Sequence, residues 1–312
     1  MSGTSVKSVE DISTLSKRQK ALAWIILVAL ALVWGSSFFL IKKGLTVYPP
    51  VQVGALRVIS AFLFLVGLVL IRLKKVPRAK WGTLFISGVA GVLIPAFLFP
   101  LAQTKVDSAI TGVLNALTPL SAMIMGVAIF RQKTTWGKVI GTLVGFVGVA
   151  ILIFTGSDGQ LNFNAYALFA VAATVCYGFN VNYIKHYLND LKSIDVSTFS
   201  VAFMGPFALI YLFTTDFNTH LAHDYALTYV EKKSDLMALV YIGILGIAGT
   251  ALALIFFNKL LQMTNPIFAS SVTYLIPVVA ITLGVLDGEQ LVSGHYIGMA
   301  ITILGVWLVN RK

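Results

Sequence analysis

Apolar residues in this chain fall into long unbroken runs, with polar and charged residues gathered in the short gaps between them. Runs of about 20 residues match a helix crossing a hydrocarbon core of roughly 30 Å. Such runs begin near Ala21, Val51, Trp81, Ser108, Thr135, Phe163, Val196, Leu236, Pro266 and Gly294. The pattern predicts an all-α integral membrane protein with ten transmembrane helices. The first run, Ala21 to Ile41, is too long for the apolar region of a signal peptide and lacks a small-residue cleavage site, so it reads as a retained span behind a polar tail, residues 1–20.

Composition agrees: 58% of the 312 residues are hydrophobic and 11% are charged, far more apolar than a soluble domain. The net charge of +11 would suggest nucleic acid if it formed a stripe on a folded domain. Instead the basic residues sit in clusters between the apolar runs, which excludes a nucleic-acid partner and points to the bilayer. Seventeen of them fall on one side of the predicted topology, from Lys7, Lys17, Arg18 and Lys20 through Arg72 to Lys80, Arg131 to Lys138, Lys185, Lys192 and Lys259 to Arg311 and Lys312. Only Lys42, Lys43, Lys105, Lys232 and Lys233 fall on the other. The positive-inside rule then places both termini in the cytoplasm. An external loop spans residues 215–235; its His220 and His223 lack further ligands nearby and read as solvated, so no metal is expected. Cys176 is alone and reads as a small core residue. Nothing in the chain calls for a cofactor.

The chain also repeats itself. "TPLSAMIMGVAIFRQ" from Thr118 aligns without gaps on "IPVVAITLGVLDGEQ" from Ile276, matching Pro119 to Pro277, Gly126 to Gly284 and Gln132 to Gln290. With a one-residue gap, Gly137, Gly141 and Gly148 fall on Gly294, Gly298 and Gly305. "WGSSFFLIKK" from Trp34 corresponds more weakly to "YGFNVNYIKH" from Tyr177. These matches divide the chain into two five-helix repeats, residues 21–156 and 162–310. An odd number of spans per repeat inverts the second copy relative to the first, an arrangement used by secondary transporters.

Taken together, "WGSSFFLIKKGL", the arginine of "GALRVISAFLFLVGLVL", "LTPLSAMIMG" and "DGEQLVSGHYIGMAITILGVWLV" resemble the EamA-type transporters of the drug/metabolite transporter superfamily. The resemblance covers nearly the whole chain. It implies alternating-access transport of small organic metabolites, amino acids or related compounds, in the direction of export. One departure stands out: Gly288 and Glu289 of the second repeat align with Phe130 and Arg131 of the first, so a carboxylate is present in only one half.

Candidate site residues follow from the kinks. A proline within a helix frees the carbonyl four residues earlier, here Asn115 for Pro119 and Thr273 for Pro277. Free carbonyls at membrane depth must face protein or a water-filled cavity, so both kinks are expected to line one cavity near the midplane. Trp34 and Ser37 of the first repeat, Tyr177 and Asn180 of the second, and Tyr274 beside Thr273 would add aromatic faces and hydrogen bonds for a small-molecule substrate. Arg57 is the one charge well inside a span, yet near enough to the helix end to snorkel; gating, helix tying and substrate contact all remain open to it. The GxxxG steps of helices 5 and 10 suit close packing or a homodimer contact. No span carries a buried Asp or Glu, and no Walker motif offers ATP coupling. A membrane enzyme would need a catalytic constellation that is absent, and a structural or assembly protein would leave the polar groups beside the kinks unexplained.

Overall fold

The computed structural model describes residues 16–132, 134–155, 163–217, 229–264 and 272–310. The polar tail before Ser16, His220, His223, the middle of the external loop and the helix start expected near Pro266 lie outside the described residues. Among the described residues, eight helices are long and apolar enough to cross a membrane: α1 Lys17–Leu45, α2 Pro50–Lys75, α3 Arg78–Gln103, α4 Ser108–Ala128, α5 Trp136–Phe154, α6 Ala167–Tyr187, α7 Ser193–Phe213 and α8 Ser234–Leu260. Two shorter apolar helices, α9 Val272–Leu286 and α10 Ser293–Val309, complete ten. There are no strands among the described residues. The chain is an all-α, ten-helix, multi-pass membrane protein.

Local chemistry sets the ends of these helices. Ser16 and Gln19 form a reciprocal capping box at the start of α1, and Pro50 opens α2 where its missing N–H costs nothing. The outer surface is apolar: Leu70 and Ile71 are 70% and 72% exposed, as lipid-facing side chains should be. Inside, Val53, Ala55, Val58, Leu114, Leu117, Leu120, Met204 and Leu245 form a continuous core.

Two ends of the bundle can be told apart by their hydrogen bonds. At one, here called the crown, the end of α1 meets the start of α4 and the α9–α10 loop through Lys42, Ser108 and Glu289. At the other, the base, Arg72 of α2 pairs with Asp195 at the start of α7, and Lys80 of α3 reaches Asp190 and the Tyr187 carbonyl, both at 2.8 Å.

Helix contacts come in matched sets. α1 packs on α9 as α4 packs on α6, α1 packs on α8 as α3 packs on α6, and α2 packs on α7. α5 and α10 pack on each other at the side of the bundle, where the backbones of Gly145 and Gly305 touch and a Cβ on Gly305 would strike the Gly145 backbone. The α5 glycines Gly141, Gly145 and Gly148 thus pack against α10 of the same chain.

α3 and α8 share an irregularity that sequence periodicity did not reveal. Each contains one stretch of wider π-helical winding, Val89–Leu93 and Ile247–Leu252. Gly91 and Gly249, inside these turns, stand the same 158 positions apart as Pro119 and Pro277.

Candidate functional site

A cavity of about 220 Å³ opens inside the bundle, lined by every helix except α5 and α10. It runs from the buried Phe38, Ile41 and Phe99 towards Ile184, Ser197 and Asn258, near the base ends of α6, α7 and α8. Edge-on and tilted ring contacts, Phe38 to Phe99 at 5.5 Å and Phe99 to Tyr177 at 5.9 Å, form its inner wall.

The π turns shape this cavity from two sides. Gly249 lies so close to Ser37 that a Cβ would sit 2.9 Å from the hydroxyl, and Gly91 meets the Asn180 amide in the same way. Ser37 and Asn180 are themselves aligned positions of α1 and α6. Both contacts require glycine because a larger residue would push a polar side chain out of place. Trp34 adds a hydrogen bond from its indole Nε1 to the Gly249 carbonyl at 3.1 Å and packs its ring on Phe257 at 5.2 Å. A wide turn leaves carbonyls without their usual helical donors; here a side chain takes one of them.

Seven of the expected residues line the cavity: Trp34, Ser37, Arg57, Asn115, Tyr177, Asn180 and Thr273. Three do not. Tyr274 turns away, its hydroxyl donating to the Val306 carbonyl of α10 at 3.2 Å. Pro277 is buried within α9 outside the lining. Pro119 differs more: helical hydrogen bonding ends at Asn115, and Ala116 and Leu117 form a tight turn, donating to Val113 and Leu114 at 2.9 and 3.0 Å. A new helical segment starts at Thr118 with Pro119 in its first turn. The Asn115 carbonyl accepts from Thr118 Oγ1 at 2.8 Å. Pro119 thus opens a fresh helical segment, where no N–H is missed, and does not free a carbonyl to the cavity.

Arg57 does not snorkel. Only 8% exposed, it reaches across to α8, where its Nε donates to Thr250 Oγ1 at 2.9 Å. Thr250 lies in the π turn and bonds the Leu245 carbonyl five residues back at 3.4 Å. Five polar lining residues were not among those expected from the sequence: Thr250, Ser87, Ser197, Ser200 and Asn258, from α3, α7 and α8. The Gly91/Gly249 match at the spacing of the prolines was the available signal for two of those three helices.

At the crown, above the cavity, charged side chains pair. Lys42 Nζ contacts Asp287 at 2.8 Å and Glu289 at 3.0 Å, and Lys43 Nζ contacts Asp287 at 2.5 Å. Glu289 also caps α4, accepting from Ser108 Oγ at 2.6 Å, Ser108 N at 3.0 Å and Ala109 N at 2.9 Å. A carboxylate there meets the positive end of the helix dipole. Burial by itself would raise the Glu289 pKa, but the bonds from Ser108, Ala109 and Lys42 outweigh it and hold the group below the usual carboxylate range. Desolvation of Asp287 is likewise outweighed by Lys42 and Lys43. Neighbouring Asp107 has no such help: burial first, then the Glu289 charge, pushes its pKa up. At the base, Gln132, which aligns with Gln290, bonds Asn182 at 2.9 Å, and no acidic cluster of this kind occurs there among the described residues.

Residues 21–154 and 164–311 both match the EamA-like transporter family. An uncharacterized transporter of Archaeoglobus fulgidus is 26% identical, covering 93% of this chain and 99% of its own. YedA of Escherichia coli, described as an uncharacterized inner membrane transporter, is 26% identical over 91% of this chain and 89% of its own. An S-adenosylmethionine/S-adenosylhomocysteine transporter of Chlamydia trachomatis is 23% identical over 90% and 87%. A crystal structure of a protein 16% identical in sequence superposes with a TM-score of 0.58, covering 92% of this chain and 96% of that one, which supports the fold. With both halves matched and the ten-helix fold in place, the chain belongs to the EamA-like transporter family and is a membrane transporter.

Proposed function

We propose that the cavity is the substrate site of a secondary transporter that moves small organic metabolites, amino acids or related compounds, out of the cell by alternating access. The observation that carries this reading is the pair of glycine contacts, Gly249 on Ser37 and Gly91 on Asn180. Each half contributes one π turn and one polar side chain to the same cavity, so the two halves flank the site as inverted repeats 21–156 and 162–310 would. Sealed at the crown by Lys42, Asp287 and Glu289, the cavity represents one of the two states that alternating access requires. Basic residues concentrate at the base, and the positive-inside rule supports a reading with the base and both termini in the cytoplasm of a cytoplasmic-membrane protein. The arrangement is then closed to the outside.

The lining favours a neutral, zwitterionic or aromatic solute over a strongly cationic one: Trp34, Phe257 and Tyr177 provide aromatic faces, and the lining holds no carboxylate among the described residues. The Chlamydia relative is named for transport of S-adenosylmethionine and S-adenosylhomocysteine, small organic metabolites. Reconstitution into liposomes tests it. Loaded, labelled aromatic and small neutral amino acids should exchange across the bilayer, and Gly249→Leu, which fills the Ser37 contact, should stop the exchange. A protein that moves no member of a broad panel of amino acids, amines and organic acids would instead be a structural or assembly component, and conversion of any of them would make it an enzyme.

A further inference from the structure

Arg57 poses an energetic problem that the helix packing leaves unsolved. Its guanidinium is nine-tenths buried at membrane depth, and no carboxylate lies within ion-pair distance of it among the described residues, whose ion pairs all involve other cations. The cavity it lines holds no other charged side chain there. A buried cation without a counter-charge is expensive, and in membrane segments such groups are normally paired or functional. Its neutral partners are few. Nε is held by Thr250, the one hydrogen bond its side chain makes among the described residues, so the five donors of the fork are only partly used in a residue that lines the cavity.

That neutral partner also fixes how the fork is presented. Thr250 stands in the π turn of α8, where the wider winding lets its hydroxyl bond the Leu245 carbonyl and receive Nε together. Holding Nε turns the terminal Nη edge of the guanidinium into the free one. Two parallel N–H groups at that edge match the two oxygens of a carboxylate. Elsewhere in the same lining, the Oδ1 atom of Asn180 is buried with no hydrogen-bond partner among the described residues, a second polar atom left for a ligand to satisfy.

We infer that Arg57 is the anion anchor of the cavity and that the transported solute carries a carboxylate, with or without an amino group. The inference rests on the transport reading above but makes a separate demand. A carboxylate entering the cavity neutralises Arg57, so binding removes the cost of the unpaired cation, while an amine of the same shape meets only repulsion. Arg57 thereby selects on the acid group, and the aromatic faces of Trp34, Phe257 and Tyr177 accept the rest of the molecule.

Binding to the purified full chain in detergent tests this apart from transport. The probes are 3-phenylpropionate, its carboxamide, 2-phenylethylamine, L-phenylalanine and sodium phosphate, each read by the shift it produces in thermal unfolding. The two carboxylates should stabilise the protein, and the amine should not. Arg57→Gln should weaken carboxylate binding by roughly tenfold to a hundredfold, the range of a charge-assisted hydrogen bond, and leave carboxamide binding unchanged. Arg57→Lys keeps the charge and loses the fork, so it should retain part of the affinity and serves where Arg57→Gln does not fold. Equal losses for acid and amide in either variant, tighter binding of the amine than of the acid, or stabilisation by phosphate as strong as by 3-phenylpropionate would each overturn the anchor. Carboxylate binding that depends on Arg57 in a protein that transports nothing would overturn the transport reading and keep the anchor.

Discussion

The indole of Trp34 donates to the carbonyl of Gly249, 215 positions away, at 3.1 Å. This bond ties α1 of one half to the π turn of α8 in the other, at the wall of the cavity. Trp34→Phe keeps an aromatic ring against Phe257 but removes the donor, leaving a carbonyl in a wide turn without its partner. A lost neutral hydrogen bond costs about 1 kcal/mol. The variant should fold, with a slightly lower melting temperature, and show reduced transport in liposomes; unchanged transport would make the bond a packing detail.

At the crown, Glu289 should act as a latch. Glu289→Gln retains the size and some of the hydrogen bonding but removes the charge that holds Lys42 and the start of α4. Charge-assisted bonds of this kind contribute about 1.5–3 kcal/mol. The closed crown should therefore be less populated. In a Cys176→Ser background, Ile41→Cys, buried in the closed state, should label faster from the crown side when Glu289→Gln is added. Equal labelling rates would mean that the crown is held shut by other contacts.

The same cluster predicts a pH dependence whose direction is fixed by its carboxylates. Glu289 and Asp287 are held below their usual values, and groups depressed by folding contribute stability that is complete above their unfolded pKa values, about 4.3 and 3.9. It is lost as the pH falls through the still lower folded values. Asp107, raised by burial, works the other way and penalises its charged form at neutral pH. The melting temperature should thus stay nearly level from about pH 8 to pH 5 and fall below about pH 4. Glu289→Gln should weaken that acid-side fall, and a fall of the same depth in the variant would assign it to other groups.

Much of this architecture could be read from the sequence because a bilayer leaves little choice. Spans must be helical and about 20 residues long, so helix starts at Ser108 and near Trp136, Ser193 and Ser293 lie within a few residues of where the apolar runs begin. The site was less legible. Trp34, Asn180 and Thr273 could be found by aligning the halves. Thr250 could not, because a π turn has no signature in hydrophobic period. Arg57 looked free to snorkel because its nearness to the end of α2 was visible and its partner on α8 was not. Local sequence reports which residues lie at membrane depth, whereas the packing of distant helices decides which of them face the cavity.

Helix crossing of α5 and α10 offers a test of packing alone. A Cβ on Gly305 would strike the backbone of Gly145, which cannot move aside, whereas a Cβ on Gly145 would clash with the movable end of the Leu120 side chain and reach the Gly305 backbone only at ordinary contact distance. Overpacking costs typically about 1–3 kcal/mol. Gly305→Ala should therefore lower the melting temperature clearly more than Gly145→Ala. Since neither helix lines the cavity, substrate binding by protein that remains folded should be the same in both. Equal destabilisation would mean that the two backbones are farther apart than the contact implies.

The two aligned prolines should behave differently despite their shared position in the repeat. Pro277 lies inside α9, where its ring nitrogen cannot make the helical hydrogen bond to the carbonyl of Thr273, a cavity-lining residue. Pro119 stands in the first turn of a helical segment, after a break already formed by Ala116 and Leu117 and sealed by Thr118 on the Asn115 carbonyl. Pro277→Ala restores a donor, should straighten α9 beside the cavity, and should cut transport while raising stability slightly. Pro119→Ala restores a donor that its position does not use, so transport should stay near the level of the parent protein. Thr118→Val is the informative change in α4, because it strips the cap from Asn115 without touching the proline; it should reduce transport more than Pro119→Ala does. Liposome exchange rates for the three variants, normalised to folded protein, decide the matter. Equal losses for Pro119→Ala and Pro277→Ala would restore the symmetric view in which both prolines shape the site alike.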